Sequence, residues 1–348
     1  MTRKIIILPG DSTGEEIMRQ SIRVLDFAAK QAGNRFEYIY DIIGKSSEDI
    51  TGKALLKETL RLSRASDAVL LGPISPYGLE NEPDSNQSGI VQLRRGLGIF
   101  ASVDQVHTYI SPGQSPIKTG EHDLVNIMIY RDASEGTSGH TETSSNKNPK
   151  IYESARLSEN DLMRVARLAY KSAARRKQTV TVVTGQEKQT APELWNTVIG
   201  KLAPEFPEVL TKRQSETAVI HTLLNDPLTL DVVLAHRFPL QMPIGSTENL
   251  KPSFHFVAGA DIGAATPLFS PRTTPSSNKQ PHDNANLFPM ILSVALMLDH
   301  FGMEAEAVQI RKAVWQCIRN HHVTKEMNPL TGLNIHRVGD FVMAYLES

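Results

Sequence analysis

The N-terminal stretch MTRKIIILPGDSTGEEI constrains the fold more than any other part of this chain of 348 residues. Its residues Ile5–Leu8 form an unbroken apolar run, which is typical of a strand buried on both faces of a parallel sheet. The turn PGDSTG follows, and apolar residues then recur at helical spacing between Glu15 and Lys30. A buried strand, a glycine turn and an amphipathic helix in this order predict the start of a βαβ unit, and therefore an α/β protein.

The same alternation continues along the chain and predicts a largely parallel sheet. We expect further strands at 68–71, 124–129, 179–183 and 230–234, and helices at 54–65, 160–176, 287–301 and 305–318. Two stretches, 134–150 and 270–286, are rich in Ser, Thr, Asn or Pro and are predicted to be loops. Loops of this length inside a compact domain are usually functional or mobile.

The composition excludes several classes of partner. A formal net charge of −1 gives no electrostatic reason to bind nucleic acid or an anionic membrane surface. No apolar run reaches the roughly 18 residues of a membrane span, and the first run is too short for a signal-peptide core. The single cysteine, Cys317, cannot form an internal disulfide, and we expect a cytoplasmic protein in a reducing compartment.

The segment QLRRGLGIFASVDQV, at 92–106, raises a question about charge. Arg94 and Arg95 fall at the end of a predicted helix, before a glycine and an apolar patch. Paired arginines suit a carboxylate or phosphate ligand, because guanidinium groups bind such oxyanions bidentately. Asp104, ten residues further on, would repel the same ligand.

Several motifs along the chain resemble one known family, the isopropylmalate/isocitrate (β-decarboxylating) dehydrogenases. LPGDSTGEEI, SDAVLLG, LRRGLGIFASV and NANLFPMILSVALMLDHFG are similar to motifs that occur in the same order in that family. The resemblance implies a two-domain α/β fold with a largely parallel central sheet. The large domain would consist of 1–100 plus 251–348, and the central domain of 101–250, with a dimerisation arm near 134–150. It also implies a homodimer, or a hetero-oligomer with an active relative.

The resemblance assigns three positions of this chain to the family's substrate-binding arginines, and only two of them carry an arginine. Arg94 and Arg131 fall on two of the three arginines that hold the hydroxyacid carboxylates, whereas Asp104 falls on the third. One cation of the clamp has therefore become an anion. We expect Asp104 to pair with Arg94 or Arg131 and to fill part of the carboxylate pocket. The two arginines then either bind a small carboxylate ligand or serve only structure.

The positions for proton transfer and for the metal do not carry the family's residue types. The catalytic lysine falls on Gly185, and Lys188, three residues further on, could replace it only if the loop were remodelled. The tyrosine falls near Ser138, which is not a comparable acid without an activating base. Two of the family's metal-binding aspartates, which lie four residues apart, fall on Gln241 and Gly245. Glu216 is the only remaining candidate ligand, and one carboxylate cannot hold a hard divalent ion. We expect no tight Mg²⁺ or Mn²⁺ site, and Glu216 is more simply a surface residue.

The cofactor loop is altered in the same way. Thr273 stands at the position of the family's histidine, and Pro275 interrupts the run of small residues. Asn286 alone matches the pattern, and an asparagine before an apolar helix is also a good N-cap. We expect no resident cofactor and at most weak binding of NAD. Asp261, in AGADIG, is predicted to lie in a turn.

Three hypotheses follow. The first is a catalytically degenerate homologue, a pseudoenzyme or regulatory subunit that keeps the dimeric scaffold and binds a ligand or a protein. The second is an NAD(P)-dependent oxidoreductase, or another enzyme that acts on a hydroxy-carboxylic acid in the same cleft. The third is a purely structural partner with a vestigial cleft.

Overall fold

A computed structural model describes residues 2–74, 88–109, 125–133, 159–184, 192–235, 254–272 and 284–348. The described residues contain ten strands: β1 Thr2–Leu8, β2 Arg35–Tyr40, β3 Ala68–Leu71, β4 Ile99–Tyr109, β5 Val125–Asp132, β6 Thr179–Thr184, β7 Leu210–Ser215, β8 Val232–Ala235, β9 Phe254–Gly263 and β10 Leu268–Pro271. They also contain ten α-helices: α1 Gly14–Gln31, α2 Lys45–Thr51, α3 Lys57–Arg64, α4 Gly89–Leu97, α5 Glu159–Ala174, α6 Pro192–Leu202, α7 Glu216–Asn225, α8 Phe288–His300, α9 Glu304–Arg319 and α10 Ile335–Glu347.

All ten strands form one sheet, in the order β2-β1-β3-β10-β9-β4-β5-β8-β6-β7. The strands β2, β1, β3 and β10 pair in parallel, as do β5, β8, β6 and β7. The antiparallel strands β9 and β4 join these two groups. The prediction of a largely parallel α/β sheet is therefore confirmed.

The predicted elements with clear periodicity are present. Every expected strand and helix overlaps an observed one, and α4 ends at Gly98 in the left-handed conformation, which favours glycine after a helix. One predicted loop, at 270–286, needs correction because Ser270 and Pro271 belong to β10. The other, at 134–150, lies outside the described residues.

The sequence pattern did not predict the central strands β4 and β9. Both contain polar or charged residues in positions that the fold buries, including Asp104, Gln105, His107 and Asp261. A run of this kind shows neither a continuous apolar core nor clean alternation. The strands form because neighbouring strands supply hydrogen-bond partners for their backbone groups. Side chains distant in sequence pair with their buried charged groups.

The two faces of the sheet carry different cores. One face holds a large apolar cluster that runs under α1, α5, α6, α8, α9 and α10 across both parallel groups. The opposite face holds two smaller clusters, one with Leu93 and Leu97 of α4 and one with Val219 of α7. On this second face, the middle of the central strands β10, β9, β4 and β5 lies between the two clusters.

Within the described part of the chain, no helix is both long and apolar enough to cross a membrane.

Candidate functional site

A buried polar row lies on the second face of the sheet, between its two apolar clusters. Alternation along the strands brings Ser102 and Asp104 of β4, Arg131 of β5 and Asp261 of β9 to the same face. Ser102 is directly opposite both Arg131 and Asp261 in the strand register. The side chains of Asp104 and Asp261 are 0 and 1% exposed, so each carboxylate needs a cationic partner.

Asp104 is bonded by two arginines. Nη2 of Arg131 donates to Oδ2 of Asp104, and Nε of Arg272 donates to Oδ1 at 2.7 Å. The expected ion pair of Asp104 with Arg131 is thus confirmed, and the partner is not Arg94. Both carboxylate oxygens accept a charge-assisted hydrogen bond, which offsets part of the cost of burying the ion pair.

Asp261 lies within strand β9, so the prediction that it sits in a turn is wrong. Its Oδ2 accepts from Nε of Arg94 at 2.7 Å, and its Oδ1 accepts from Nη2 of Arg272 at 2.5 Å. Burial by itself raises the pKa of Asp261, but the charges of Arg272 and Arg94 outweigh burial and hold that pKa well below its ordinary value. The glycines on either side of Asp261 in AGADIG favoured a turn in the sequence analysis. In the structure they lie within a strand and allow neighbouring groups to pack closely against it.

Arg272, which sequence reasoning missed, links the two carboxylates. Its guanidinium donates to Asp104, to Asp261, and to the hydroxyl oxygens of Ser102 at 3.1 Å and Ser270 at 3.4 Å. Burial lowers the pKa of Arg272, but the charges of Asp261 and Asp104 reverse this and raise it above the ordinary value. The only signal in the sequence is a cation one residue after a short buried strand, and such a signal does not identify its partners.

Gly259 makes room for that guanidinium. A Cβ atom at this position would lie 2.2 Å from Nε and 2.5 Å from Cζ of Arg272. Gly259 is directly opposite Asp104 on one side and Ser270 on the other. The glycine therefore lets Arg272 cross the sheet surface from β10 to Asp104 on β4. We call the set Arg94, Asp104, Arg131, Asp261 and Arg272 the arginine–aspartate network.

A second polar network lies on the opposite face of the central strands. Arg176 donates to Oδ1 of Asp231 at 2.8 Å and to the carbonyl oxygen of Asn126 at 2.5 Å, and Gln105 donates to Oδ1 of Asn126 at 3.1 Å. His107, also buried on this face, is held neutral: burial lowers its pKa to about 3, with help from the charges of Arg311 and Arg176. This network joins β4 and β5 to the end of α5 and to α9.

The other predicted site residues fall into two groups. Leu287 is the N-cap residue of α8, so the interpretation of Asn286 as the N-cap is wrong. Asn286 precedes that cap, and its Oδ1 accepts from the backbone N–H of Phe288, the first residue of α8, at 3.0 Å. Glu216 is the first residue of α7 and half-exposed, and it makes no hydrogen bond or ion pair with the network among the described residues. The remaining positions lie outside the described residues: Ser138, Gly185, Gln241, Gly245, Thr273 and Pro275.

The described residues do not fit a divalent metal ion. They contain no group of three or more His, Cys, Asp or Glu side chains placed to hold one. The two buried carboxylates of the network already accept hydrogen bonds from guanidinium groups, which leaves no oxygen set for a hard cation. Among the positions that the resemblance assigns to NAD, the described one is Asn286, whose amide oxygen is used by α8.

Comparison with known proteins agrees with the fold over its whole length. The isocitrate dehydrogenase structure from Methylococcus capsulatus superposes with a TM-score of 0.81 at 22% identity, covering 99% of this chain and 100% of that one. A structure of a β-decarboxylating dehydrogenase from Thermococcus kodakarensis gives a TM-score of 0.73 at 21% identity, covering 99% of this chain and 96% of that one. The architecture is therefore that of the β-decarboxylating dehydrogenases.

Sequence comparison then identifies the family. The sequence model for isocitrate/isopropylmalate dehydrogenase matches residues 4–342. The 3-isopropylmalate dehydrogenase of Bacteroides fragilis is 25% identical over 353 aligned positions, covering 100% of this chain and 99% of that protein. The chain belongs to the isocitrate/isopropylmalate dehydrogenase family, and the resemblance seen in its motifs is confirmed.

Proposed function

We propose that this chain is a family member that does not perform metal-dependent oxidative decarboxylation, and that it acts by binding a ligand or a partner protein. The observation that carries the proposal is the pairing of Asp104 with Arg131 and Arg272. At this position the family resemblance places a substrate arginine, but here a buried acid uses the N–H groups of two arginines.

The electrostatics support the same conclusion. The family reaction needs cations that face the substrate carboxylates and acids that face a metal ion. In the network, the two aspartates instead neutralise two of the three arginine charges. The resemblance also puts Gly185 and Ser138 at the positions of the proton-transfer groups. Loss of one general acid or base typically costs about 10²–10⁴-fold in rate, and the resemblance leaves neither group at these two positions.

The quaternary structure of the family member forms a second part of the proposal. The chain would form a homodimer, or a hetero-oligomer with an active relative, through the segment 134–150 of a central domain at 101–250. A large domain would consist of 1–100 plus 251–348, and the location would be cytoplasmic. Deletion of 134–150 is expected to convert the oligomer to monomers in sedimentation velocity, and an unchanged sedimentation coefficient would contradict the assignment of the arm.

An alternative function is an NAD(P)-dependent oxidoreductase that acts on a hydroxy-carboxylic acid. The observation in its favour is that Arg94 and Arg131 are retained and that their side chains are 34 and 26% exposed.

Turnover assays distinguish the two functions. The purified chain is mixed with 3-isopropylmalate, isocitrate or tartrate, with NAD or NADP and with Mn²⁺, and reduced cofactor is followed by absorbance. We expect no turnover above that of an Arg131→Gln variant purified in parallel, because a contaminating enzyme would give equal rates in both preparations. Turnover that is present in the wild type, abolished by chelation of Mn²⁺ and lost in the variant would overturn the proposal.

A further inference from the structure

The accessible side of the arginine–aspartate network is cationic. The side chains of Arg94, Arg131 and Arg272 are 34, 26 and 16% exposed, whereas those of Asp104 and Asp261 are 0 and 1% exposed. The two carboxylates are thus covered, and the three arginine side chains are partly exposed. A molecule that approaches the network meets the arginines and not the acids.

The charges of the network do not cancel. Three guanidinium groups and two carboxylates leave one net positive charge in a partly buried position. A ligand group with one negative charge would neutralise it. A second negative charge on the same ligand would find no remaining cation in the network and would be repelled by Asp104 and Asp261.

The arginines also retain hydrogen-bonding capacity. Arg94 contacts Asp261 through Nε, and its two terminal nitrogens have no partner among the described residues. Nη2 of Arg131 serves Asp104 and lies 3.5 Å from the hydroxyl of Ser102, while its Nε is buried without a hydrogen-bond partner in the described part of the chain. The buried Nε of Arg131 is out of a ligand's reach, whereas the two terminal nitrogens of Arg94 form a fork that matches the two oxygens of a carboxylate.

From these three features we infer that the network binds a monocarboxylate through Arg94 and Arg131 and discriminates against dicarboxylates. The inference rests on the proposed function, because it assigns a ligand class to the site that we propose binds without the family reaction. Asp104 and Asp261 set the specificity: each cancels a cation that a second ligand carboxylate would need.

A matched pair of ligands tests this inference. Removal of one carboxylate from 3-isopropylmalate gives 2-hydroxy-4-methylpentanoate, which keeps the hydroxyl and the branched chain. Isothermal titration of the full chain is expected to give a Kd for the monoacid at least about tenfold lower than for the diacid. Equal affinities, tighter binding of the diacid, or no binding of the monoacid at 10 mM would each overturn the inference.

Two neighbouring arginines supply matched variants. Arg94→Gln removes the network's net positive charge and the unpaired terminal nitrogens of the Arg94 guanidinium group. It is expected to weaken monoacid binding at least about tenfold. Arg95→Gln removes the same charge from the adjacent, exposed position on α4 and should leave the Kd unchanged. Circular dichroism confirms that each variant is folded. Equal Kd values for the two variants would place the binding elsewhere and refute the site.

A substitution that keeps all three arginines tests the specificity claim separately. Asp104→Asn raises the net charge of the network to two, so the preference is expected to shift towards 3-isopropylmalate. If this variant does not fold, Asp261→Asn makes the same change in charge on β9. An unchanged preference in a folded variant would show that the aspartates do not select the ligand. NAD-dependent oxidation of either acid would refute the proposed function while leaving the ligand assignment intact.

Discussion

Replacement of Asp104 by asparagine should destabilise the protein strongly, although the two side chains have the same shape. The carboxylate is fully buried and accepts from both Arg131 and Arg272. An asparagine keeps one acceptor oxygen, but its NH₂ group would point at one of the two guanidinium donors. Two buried cations would then share one neutral acceptor.

The size of the effect follows from the burial. Removing one member of a buried ion pair typically costs about 3–5 kcal/mol, because the partner charge remains desolvated. Asp104 has two such partners, and Arg272 keeps Asp261 as a second anion. We therefore expect a loss of about 3–5 kcal/mol, a large fraction of the roughly 5–15 kcal/mol that stabilises a typical protein.

Urea unfolding measures this loss. Trp195 of α6 and Trp315 of α9 report on the two ends of the fold, and circular dichroism reports on the whole. Glu205→Gln is the matched control, because it removes the same kind of charge from an exposed pair with Arg167 at 2.5 Å. Solvent already screens that pair, so its midpoint should stay close to that of the wild type.

A midpoint for Asp104→Asn as close to wild type as that of Glu205→Gln would refute the reasoning. It would mean that solvent reaches Asp104, or that the network does not form in solution.

Three further predictions concern the same strands. Gly259→Ala should unfold at lower urea concentration than wild type, because its Cβ displaces Arg272, whereas Gly200→Ala, with open space around its Cβ in α6, should stabilise the protein by about 0.5–1 kcal/mol. Because the pKa of His107 is lowered to about 3, the unfolded chain binds a proton first as the pH falls below about 6.5. The free energy of unfolding should therefore fall between pH 6.5 and 4.5. In urea titrations, His107→Gln should reduce the slope of this free energy against pH by up to about 1.4 kcal/mol per pH unit. Equal slopes for the variant and the wild type would contradict the burial of a neutral imidazole. Because the pKa of Asp261 is held below its ordinary value, its contribution is present above about pH 4 and is lost as the pH falls further, so the stability gap between wild type and Asp261→Asn should narrow in acid. A gap that is constant from pH 7 to pH 3 would show that folding does not lower the pKa of Asp261.

The sequence alone predicted the elements whose pattern is local. The run Ile5–Leu8 is buried on both faces as β1, and the helix at 287–301 is α8, with 13 residues at Phe288–His300. Both carry their own signal, because apolar residues in a short window suffice to specify a buried strand or helix. The order of the motifs was also sufficient to recognise the family.

The sequence also predicted part of the site. An acid ten residues after paired arginines required a cation, and Arg131 supplies it. This inference succeeded because a buried charge must be paired, whatever the remainder of the fold. The N-cap interpretation of Asn286 missed by one residue, because the helix begins after Leu287.

Tertiary structure decided the rest of the site. Arg272 reaches Asp104 across 168 residues of sequence, and Arg94 reaches Asp261 across 167. No local pattern encodes such a pairing, because it depends on which strands become neighbours in the sheet. Strands β4 and β9 could not be predicted for the same reason: their polar residues are compatible with burial only after the sheet brings arginines from β5, α4 and the end of β10 to the same face.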